Sequence, residues 1–289
     1  MEAAAGSVER RMLGEIPRRV APPGSCDCHM HIYEERFPLA PTATFKPPDA
    51  PVSAYRTVQR DLGLTRAVVV QPSGYGFDNR CTLEALAEFG SEARGVAVVP
   101  PDVADAELER LTRAGIRGVR FHMLAGGVLP WEALEGLAAR VLPFGWHVQF
   151  QLDGRDLPLH EARLRDLPNT VVIDHVGKFL GPVTTGHPGF KALLRLLDSG
   201  KCWVKLSEPY STSKTGGPRY EDIGVLARAL VKANPERCVW ASNWPHPNWN
   251  PAPSTAAMLD LLLEWTDDES TRTRILVDNP VALYGFAES

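Results

Sequence analysis

Eight short apolar segments recur along the chain, and their spacing constrains the fold more than any other feature of the sequence. Each is at most six residues long and rich in valine, isoleucine or aromatic residues, which is typical of a strand buried on both faces. Segments with the apolar spacing of helices lie between most of them. The eight predicted strands are 26–31, 66–71, 95–99, 116–121, 146–151, 170–175, 202–207 and 237–242.

The alternation of strand and helix predicts a single-domain (β/α)8 barrel, a TIM barrel of the α/β class. A doubly wound open sheet is the alternative, but it usually carries a glycine-rich phosphate loop after the first strand, and the sequence has none. We expect the barrel at 22–289, after an N-terminal extension at 1–21. Asp105 and Ser254 are the predicted N-caps of two helices. The predicted helices include 83–89, 106–113, 131–142, 190–197, 223–233 and 255–265.

The charge balance argues against several classes of partner. The 289 residues contain 31 Lys and Arg against 35 Asp and Glu, with a net charge of −4 and no long basic run. We therefore expect no nucleic-acid partner and no membrane partner. No apolar stretch is long enough to span a bilayer, and five sparse cysteines do not resemble a disulfide framework, so we expect a cytoplasmic protein. The sequence leaves a homo-oligomer open.

Polar side chains collect at the carboxyl ends of the predicted strands, where the active sites of such barrels lie. The first strand ends in His29 and His31, which alternation places on the inner face together with Asp27. His175 ends the sixth strand, and Asp174 points the opposite way, which indicates a structural role. Other strands end with Ser73, Arg120, His122, Gln151, Lys205, Glu208 and Asn243. These ends together predict a site for a small molecule.

In order along the chain, these residues resemble the amidohydrolase superfamily, and within it the lactonase branch of the pyrone dicarboxylate lactonases. Asp-Cys-His-Met-His alone is an unspecific motif, whereas the ordered set is specific and runs from about residue 22 to the end. The motifs that carry the resemblance include DCHMH at 27–31, GIRGVRF at 115–121, IDHVG at 173–177 and WASNWPHPN at 240–248.

The resemblance implies an enzyme that hydrolyses a lactone of a small carboxylic or sugar acid by attack of water on the carbonyl. His29, His31 and His175 would polarise that carbonyl, and the residue at 243 would activate the water. No metal and no cofactor is implied by the lactonase pattern, and the alternative is one Zn²⁺ held by His29 and His31. Substrate binding is implied, by pattern or by position, for Ser73, Arg120, His122, Gln151, Lys178 and Tyr210.

Asn243 departs from the family pattern, which has an aspartate there. An amide cannot accept a proton at neutral pH and is a poor metal ligand. General-base assistance contributes about 10²–10⁴-fold to a rate, so its loss matters. We interpret Asn243 as an inactivating replacement of the catalytic acid; the alternative is that another group serves as the base.

The second departure is a loss of arginines around the site. Gly126, Lys178 and Ser211 stand at arginine-like positions of the family pattern and only Arg120 remains, so we expect a substrate with less negative charge than a dicarboxylate. Three rival functions stay open. They are a lactone isomerase of the galactarolactone type, a mononuclear zinc hydrolase or decarboxylase, and a barrel that binds a ligand without turnover.

Overall fold

Eight parallel strands form a barrel in the computed structural model, which describes residues 16–287. Each strand pairs with the next along the chain, from β1 to β8. After β8 the chain returns to β1, because Asn243 N donates to His29 O and His31 N donates to Trp244 O, each over 2.8 Å. The predicted (β/α)8 barrel is therefore confirmed. The strands are β1 (Cys26–Met30), β2 (Arg66–Val70), β3 (Ala93–Ala97), β4 (Ile116–His122), β5 (His147–Gln151), β6 (Val171–Ile173), β7 (Cys202–Leu206) and β8 (Cys238–Trp240).

Helices follow the strands along the chain, and those at 52–62, 157–166, 269–273 and 279–284 were not predicted from the sequence. The prediction for Ser254 is confirmed, because its side chain accepts a hydrogen bond from Ala257 N over 3.1 Å. The prediction for Asp105 is wrong, because Asp105 is the first helical residue and Ala104 precedes it. The α-helices are α1 (Val52–Leu62), α2 (Arg80–Phe89), α3 (Asp105–Arg113), α4 (Leu134–Val141), α5 (Leu157–Asp166), α6 (Pro188–Asp198), α7 (Glu221–Ala233), α8 (Thr255–Trp265), α9 (Glu269–Thr273) and α10 (Asn279–Tyr284).

Two apolar layers hold the barrel together. Val68 and Val70 belong to the cluster inside the barrel, whereas Ala67 and Val69 belong to the larger cluster between strands and helices. Successive side chains of a strand point to opposite faces, so a strand that is buried on both faces has a continuous run of apolar residues in its sequence. The inner cluster also contains Cys26, Cys28, Val96, Val172, Trp203, Val239, Ala241, Tyr284 and Phe286.

The predicted position of Asp27 on the inner face with the histidines is wrong. The pairing of β1 with β2 shifts register between Asp27 and Met30, so simple alternation fails there. Tyr55 of α1 donates a hydrogen bond to Asp27 Oδ2 over 2.9 Å, and Ser242 N donates to Oδ1 over 2.9 Å. Asp27 therefore connects β1 with α1 and with the chain after β8.

Three strands end two residues earlier than the sequence predicted. Strand β3 stops at Ala97, β6 at Ile173 and β8 at Trp240, whereas the predicted ends are 99, 175 and 242. The polar residues that follow β6 and β8 lie outside the strands, where alternation does not decide their direction. Of the predicted extension at 1–21, residues 1–15 lie outside the described residues. No helix within residues 16–287 is long and apolar enough to cross a membrane.

Candidate active site

A pocket of about 170 Å³ opens where the polar ends of the strands meet. Eight of the ten predicted site residues line it, and the other two, His29 and Tyr210, lie behind its wall. Strand ends supply most of these side chains, as expected for a barrel of this kind. The lining residues are His31, Tyr33, Phe45, Pro72, Ser73, Arg120, His122, Gln151, His175, Lys178, Glu208, Ser211, Asn243, Pro247, Asn248 and Trp249.

His29 and His31 form a pair at the base of the pocket, with their Nε2 atoms 3.2 Å apart. His31 Nδ1 lies 2.8 Å from the Val70 carbonyl oxygen, which can only accept, so Nδ1 carries the proton and Nε2 a lone pair. His29 then donates through Nε2 to His31. Burial and the charge of Arg120 lower the pKa of His31 to about 3, and burial and Lys205 hold that of His29 well below its usual value. Both rings are neutral at physiological pH.

Lys205 and Asp174 form a buried ion pair beneath the two histidines. Lys205 Nζ lies 3.3 Å from His29 Nδ1 and 3.6 Å from Asp174 Oδ1, and it donates to Gln149 Oε1 over 2.8 Å. Burial lowers the pKa of Lys205 to about 8. Burial alone would raise the pKa of Asp174, but Lys205 and Arg120 together lower it. His29 Nδ1 lies 3.3 Å from a donor, Lys205 Nζ, and 3.3 Å from an acceptor, Asp174 Oδ1, so the contact with His31 is the one that assigns its proton to Nε2.

The predicted direction of Asp174, away from the site, is wrong, because its carboxylate contacts His29 and Arg120; its predicted structural role stays a prediction. Since β6 ends at Ile173, the alternation used to place its side chain does not extend that far. Arg120 donates through Nε to Asp174 Oδ2 over 3.3 Å, through Nη1 to Gln71 O over 3.3 Å, and through Nη2 to Gln151 Oε1. Asp174 is thus the anionic partner that a buried guanidinium requires.

Glu208 lines the pocket wall, although it was not among the site residues predicted from the sequence. Glu208 Oε2 accepts a hydrogen bond from Lys178 Nζ over 2.6 Å and lies 3.3 Å from His175 Nε2. Lys178 also donates to Ser211 Oγ over 2.9 Å, and His175 Nδ1 lies 2.9 Å from Ser207 Oγ. Both nitrogens of His175 are therefore engaged, and burial holds its pKa well below the usual value. In the sequence, Glu208 follows the seventh predicted strand among other polar residues, and this position was the signal that could have identified it as a site residue.

Asn243 is held in place by a chain of hydrogen bonds behind the pocket. Its Nδ2 donates to the Tyr210 hydroxyl over 2.9 Å, and that hydroxyl lies 2.9 Å from His246 Nδ1. His246 Nε2 in turn lies 2.9 Å from Thr255 Oγ1 at the start of α8. The predicted substrate-binding residue Tyr210 is thus placed behind Asn243 and not on the pocket surface.

Ser73 and His122 also line the pocket wall. Ser73 begins a short 3₁₀ turn after β2, and His122 ends β4. His122 Nε2 lies 3.2 Å from the Ala125 carbonyl oxygen. Burial and the charge of Arg120 lower the pKa of His122 to about 4, so this ring is also neutral at physiological pH.

Unfavourable backbone conformations concentrate around the pocket. Of the eight non-glycine residues with positive φ in the described chain, five line it. Such conformations cost about 1–3 kcal/mol each and are characteristic of functional sites. The five are His175 (φ 56°), Lys178 (48°), Glu208 (53°), Asn243 (60°) and Asn248 (70°).

The residues present do not fit a divalent metal ion well. Among residues 16–287, His29, Asp174 and His175 bring donor atoms within 4.8 Å of one another. However, Asp174 Oδ2 already accepts from Arg120 and Gln149, and Lys205 Nζ faces its Oδ1. Two cations at this carboxylate would repel a metal ion. Asn243 supplies an amide where a carboxylate ligand would be expected.

Comparisons with known proteins agree with this architecture. D-galactarolactone isomerase of Agrobacterium fabrum is 34% identical over 95% of this chain and 96% of its own length. The 2-pyrone-4,6-dicarboxylate hydrolase of Comamonas testosteroni is 35% identical over 93% of this chain and 92% of its own. An apo crystal structure of an Agrobacterium tumefaciens protein superposes with a TM-score of 0.90 at 33% identity, covering 96% of this chain and 99% of that one. The Amidohydrolase family profile matches residues 26–286, so the chain belongs to the amidohydrolase family.

Proposed function

We propose that the protein opens the ring of a small lactone bearing a single carboxylate, by nucleophilic attack on the lactone carbonyl. One observation carries the proposal: neutral His31 and cationic Arg120 both line a pocket at the strand ends, with neutral His29 behind His31. The names of the two similar enzymes, which act on lactones, support the same reaction class.

The charge of the pocket supports a substrate with one negative charge. Arg120 and Lys178 line it as cations, whereas Glu208 is the one carboxylate among the lining residues in the described chain. Lys205 and Asp174 beneath the pocket offset each other. One positive charge is therefore left for a ligand, which suits a monocarboxylate better than a dicarboxylate.

The hydrogen-bond donors suit the charge that develops during attack on a carbonyl. In a ring-opening reaction the carbonyl oxygen becomes an oxyanion, and preorganised donors in a buried site stabilise it. His31 and Arg120 line the pocket base, where the N–H groups of Arg120 are the donors, and His29 lies behind His31. A lactone with its carbonyl oxygen above this base would place the ring carbon at the open side of the pocket.

Water as nucleophile makes the reaction a hydrolysis, and a hydroxyl of the substrate makes it an isomerisation. Asn243 favours the second candidate, because an amide cannot deprotonate water. Intramolecular attack has effective molarities of about 10⁵–10⁸ M. A substrate hydroxyl can therefore compensate for a missing general base, whose assistance is worth roughly 10²–10⁴-fold in rate. Both reactions occur among proteins of this similarity, since the isomerase is 34% identical to this chain and the pyrone dicarboxylate hydrolase 35%.

The test is a panel of five- and six-membered sugar-acid lactones, with and without a carboxylate, incubated in ¹⁸O-labelled water. Product masses and NMR spectra distinguish the two candidates, since hydrolysis incorporates one solvent oxygen and isomerisation none. We expect turnover of monocarboxylate lactones. Tight binding without turnover of any of them would instead support the ligand-binding barrel.

We further propose that catalysis is metal-independent and that the protein works in the cytoplasm. Lys205 and Arg120 support the first point, because they already supply the cationic charge beneath the site. The five buried, unpaired cysteines support the second, because free thiols suit a reducing compartment. Full activity after dialysis against a chelator is the expected result for the first point.

A further inference from the structure

We propose that Glu208 accepts the proton of the nucleophile that attacks the lactone carbonyl, in place of the carboxylate that position 243 lacks. The inference rests on the proposed lactone reaction and adds to it a catalytic residue. Among the residues that line the pocket in the described chain, Glu208 is the only one with a carboxylate.

The surroundings of Glu208 hold one oxygen and leave the other available. Oε2 accepts from Lys178 and lies 3.3 Å from His175 Nε2, which fixes the carboxylate plane. Oε1 has no hydrogen bond to any residue within 16–287. The side chain lines the pocket and is 9% exposed, so bulk water is largely excluded, and Oε1 is the oxygen left for a small ligand.

The other groups on the wall are poorly suited to take a proton. Asn243 is an amide, and its Nδ2 is committed to Tyr210. His175 has both nitrogens engaged, by Ser207 and by Glu208 itself. Burial lowers the pKa of His31 to about 3 and that of His122 to about 4, which makes both rings weak bases. Glu208 is the group that combines negative charge with access to the ligand.

The proposed step balances without any co-reactant. As the oxygen of water or of a substrate hydroxyl bonds to the carbonyl carbon, its proton passes to Glu208 Oε1 and the carbonyl electron pair moves onto the oxygen. Collapse of this oxyanion breaks the ring C–O bond, and the leaving oxygen takes the proton back from Glu208. Isomerisation then ends with no net proton change, and hydrolysis ends with one carboxylic acid that ionises in water.

The experiment compares Glu208→Gln with wild type on the best lactone of the panel. We expect kcat to fall by about 100-fold or more, the usual range for loss of a general base, and KM to change much less. The matched control is Glu88→Gln, which removes the same charge from an exposed position of α2 and should leave kcat unchanged. Glu208→Ala distinguishes a catalytic role of the carboxylate from a positioning role. Added formate supplies a carboxylate that can accept the proton, and it should raise the rate of this variant at least about tenfold.

The outcomes separate this inference from the proposed function. Absence of turnover by the wild type overturns both. Turnover by the wild type, with Glu208→Gln retaining most of kcat or with no formate rescue of Glu208→Ala, overturns the role of Glu208 alone. Should these variants fail to fold, Glu208→Asp keeps the charge next to Lys178 but shortens the side chain. An unchanged kcat in that variant also overturns the proposal.

Discussion

Proton positions on two adjacent imidazoles show how single residues shape this site. The Val70 carbonyl oxygen requires the proton of His31 on Nδ1, and the lone pair this leaves on His31 Nε2 favours a proton on His29 Nε2, 3.2 Å away. Burial keeps both rings neutral. His29 then donates to His31, and the two neutral rings hold each other in one arrangement before the substrate binds.

The amide at position 243 leads to a prediction about reaction outcome. Asn243→Asp places a carboxylate next to the Tyr210 hydroxyl, where it can accept a proton from water at the pocket wall. We expect the rate of lactone hydrolysis to rise by up to about 10²-fold, because a carboxylate at position 243 adds a base for water to the one proposed at Glu208. Incorporation of ¹⁸O from labelled water into the product measures this rate.

The control for that prediction is Asn248→Asp, which adds the same negative charge to the same pocket at another point of its wall. A gain specific to position 243 supports water activation there. An equal gain in both variants, or none in Asn243→Asp, would contradict it, and the second result would also remove the interpretation of Asn243 as a replaced catalytic acid.

Among the elements, the strands were predictable and the turns that follow them were not. Apolar runs buried on both faces are local signals, so all eight strands were found from sequence. Asp27 was misplaced because β1 shifts register at this point, and its partners Tyr55 and Ser242 lie far away in sequence. Asp174 and Glu208 follow the ends of β6 and β7, where periodicity gives no direction.

The missed helices have a related physical cause. Helix α5, Leu157–Asp166, buries Leu157 and Leu164 but otherwise has a mostly polar surface, so its sequence carries little helical apolar periodicity. Helix α1 follows a long proline-rich loop, and its preceding residue, Pro51, offers no side-chain cap. Packing against the barrel, and not local sequence preference, stabilises such helices.

The pairing of β4 with β5 leads to a prediction about stability. Gly118 faces His147 across the two strands, and a Cβ at position 118 would collide with the buried His147 ring. We expect Gly118→Ala to lower the free energy of unfolding by about 1–3 kcal/mol, as measured by denaturant titration. The matched control is Gly136→Ala in α4, where a Cβ would contact nothing within 4 Å and should stabilise by about 0.5–1 kcal/mol. Equal effects of the two substitutions would contradict the predicted collision.

At the scale of the whole molecule, several buried histidines are kept neutral, and this couples stability to pH. Burial lowers the pKa values of His31 and His147 to about 3 and that of His122 to about 4, and it also lowers those of His29 and His175. In the unfolded chain these groups bind protons near pH 6.5. The unfolded state therefore takes up more protons than the folded state below that pH, and acid favours unfolding.

We therefore expect the free energy of unfolding to be highest above pH 6.5 and to fall steeply as the pH drops from 6.5 towards 4. Each linked histidine contributes at most about 1.4 kcal/mol per pH unit, so several together can exhaust a typical stability of about 5–15 kcal/mol before pH 4. Denaturant titrations at pH 7, 6 and 5 measure the slope of the unfolding free energy against pH.

His147→Leu removes one of these histidines, which lies next to the Tyr284 ring and far from the pocket. We expect the number of protons taken up on unfolding to fall by about one, while the other histidines keep their contribution to the slope. A free energy of unfolding that stays constant from pH 7 to 5, or a slope that His147→Leu does not change, would show that these rings accept protons in the folded state.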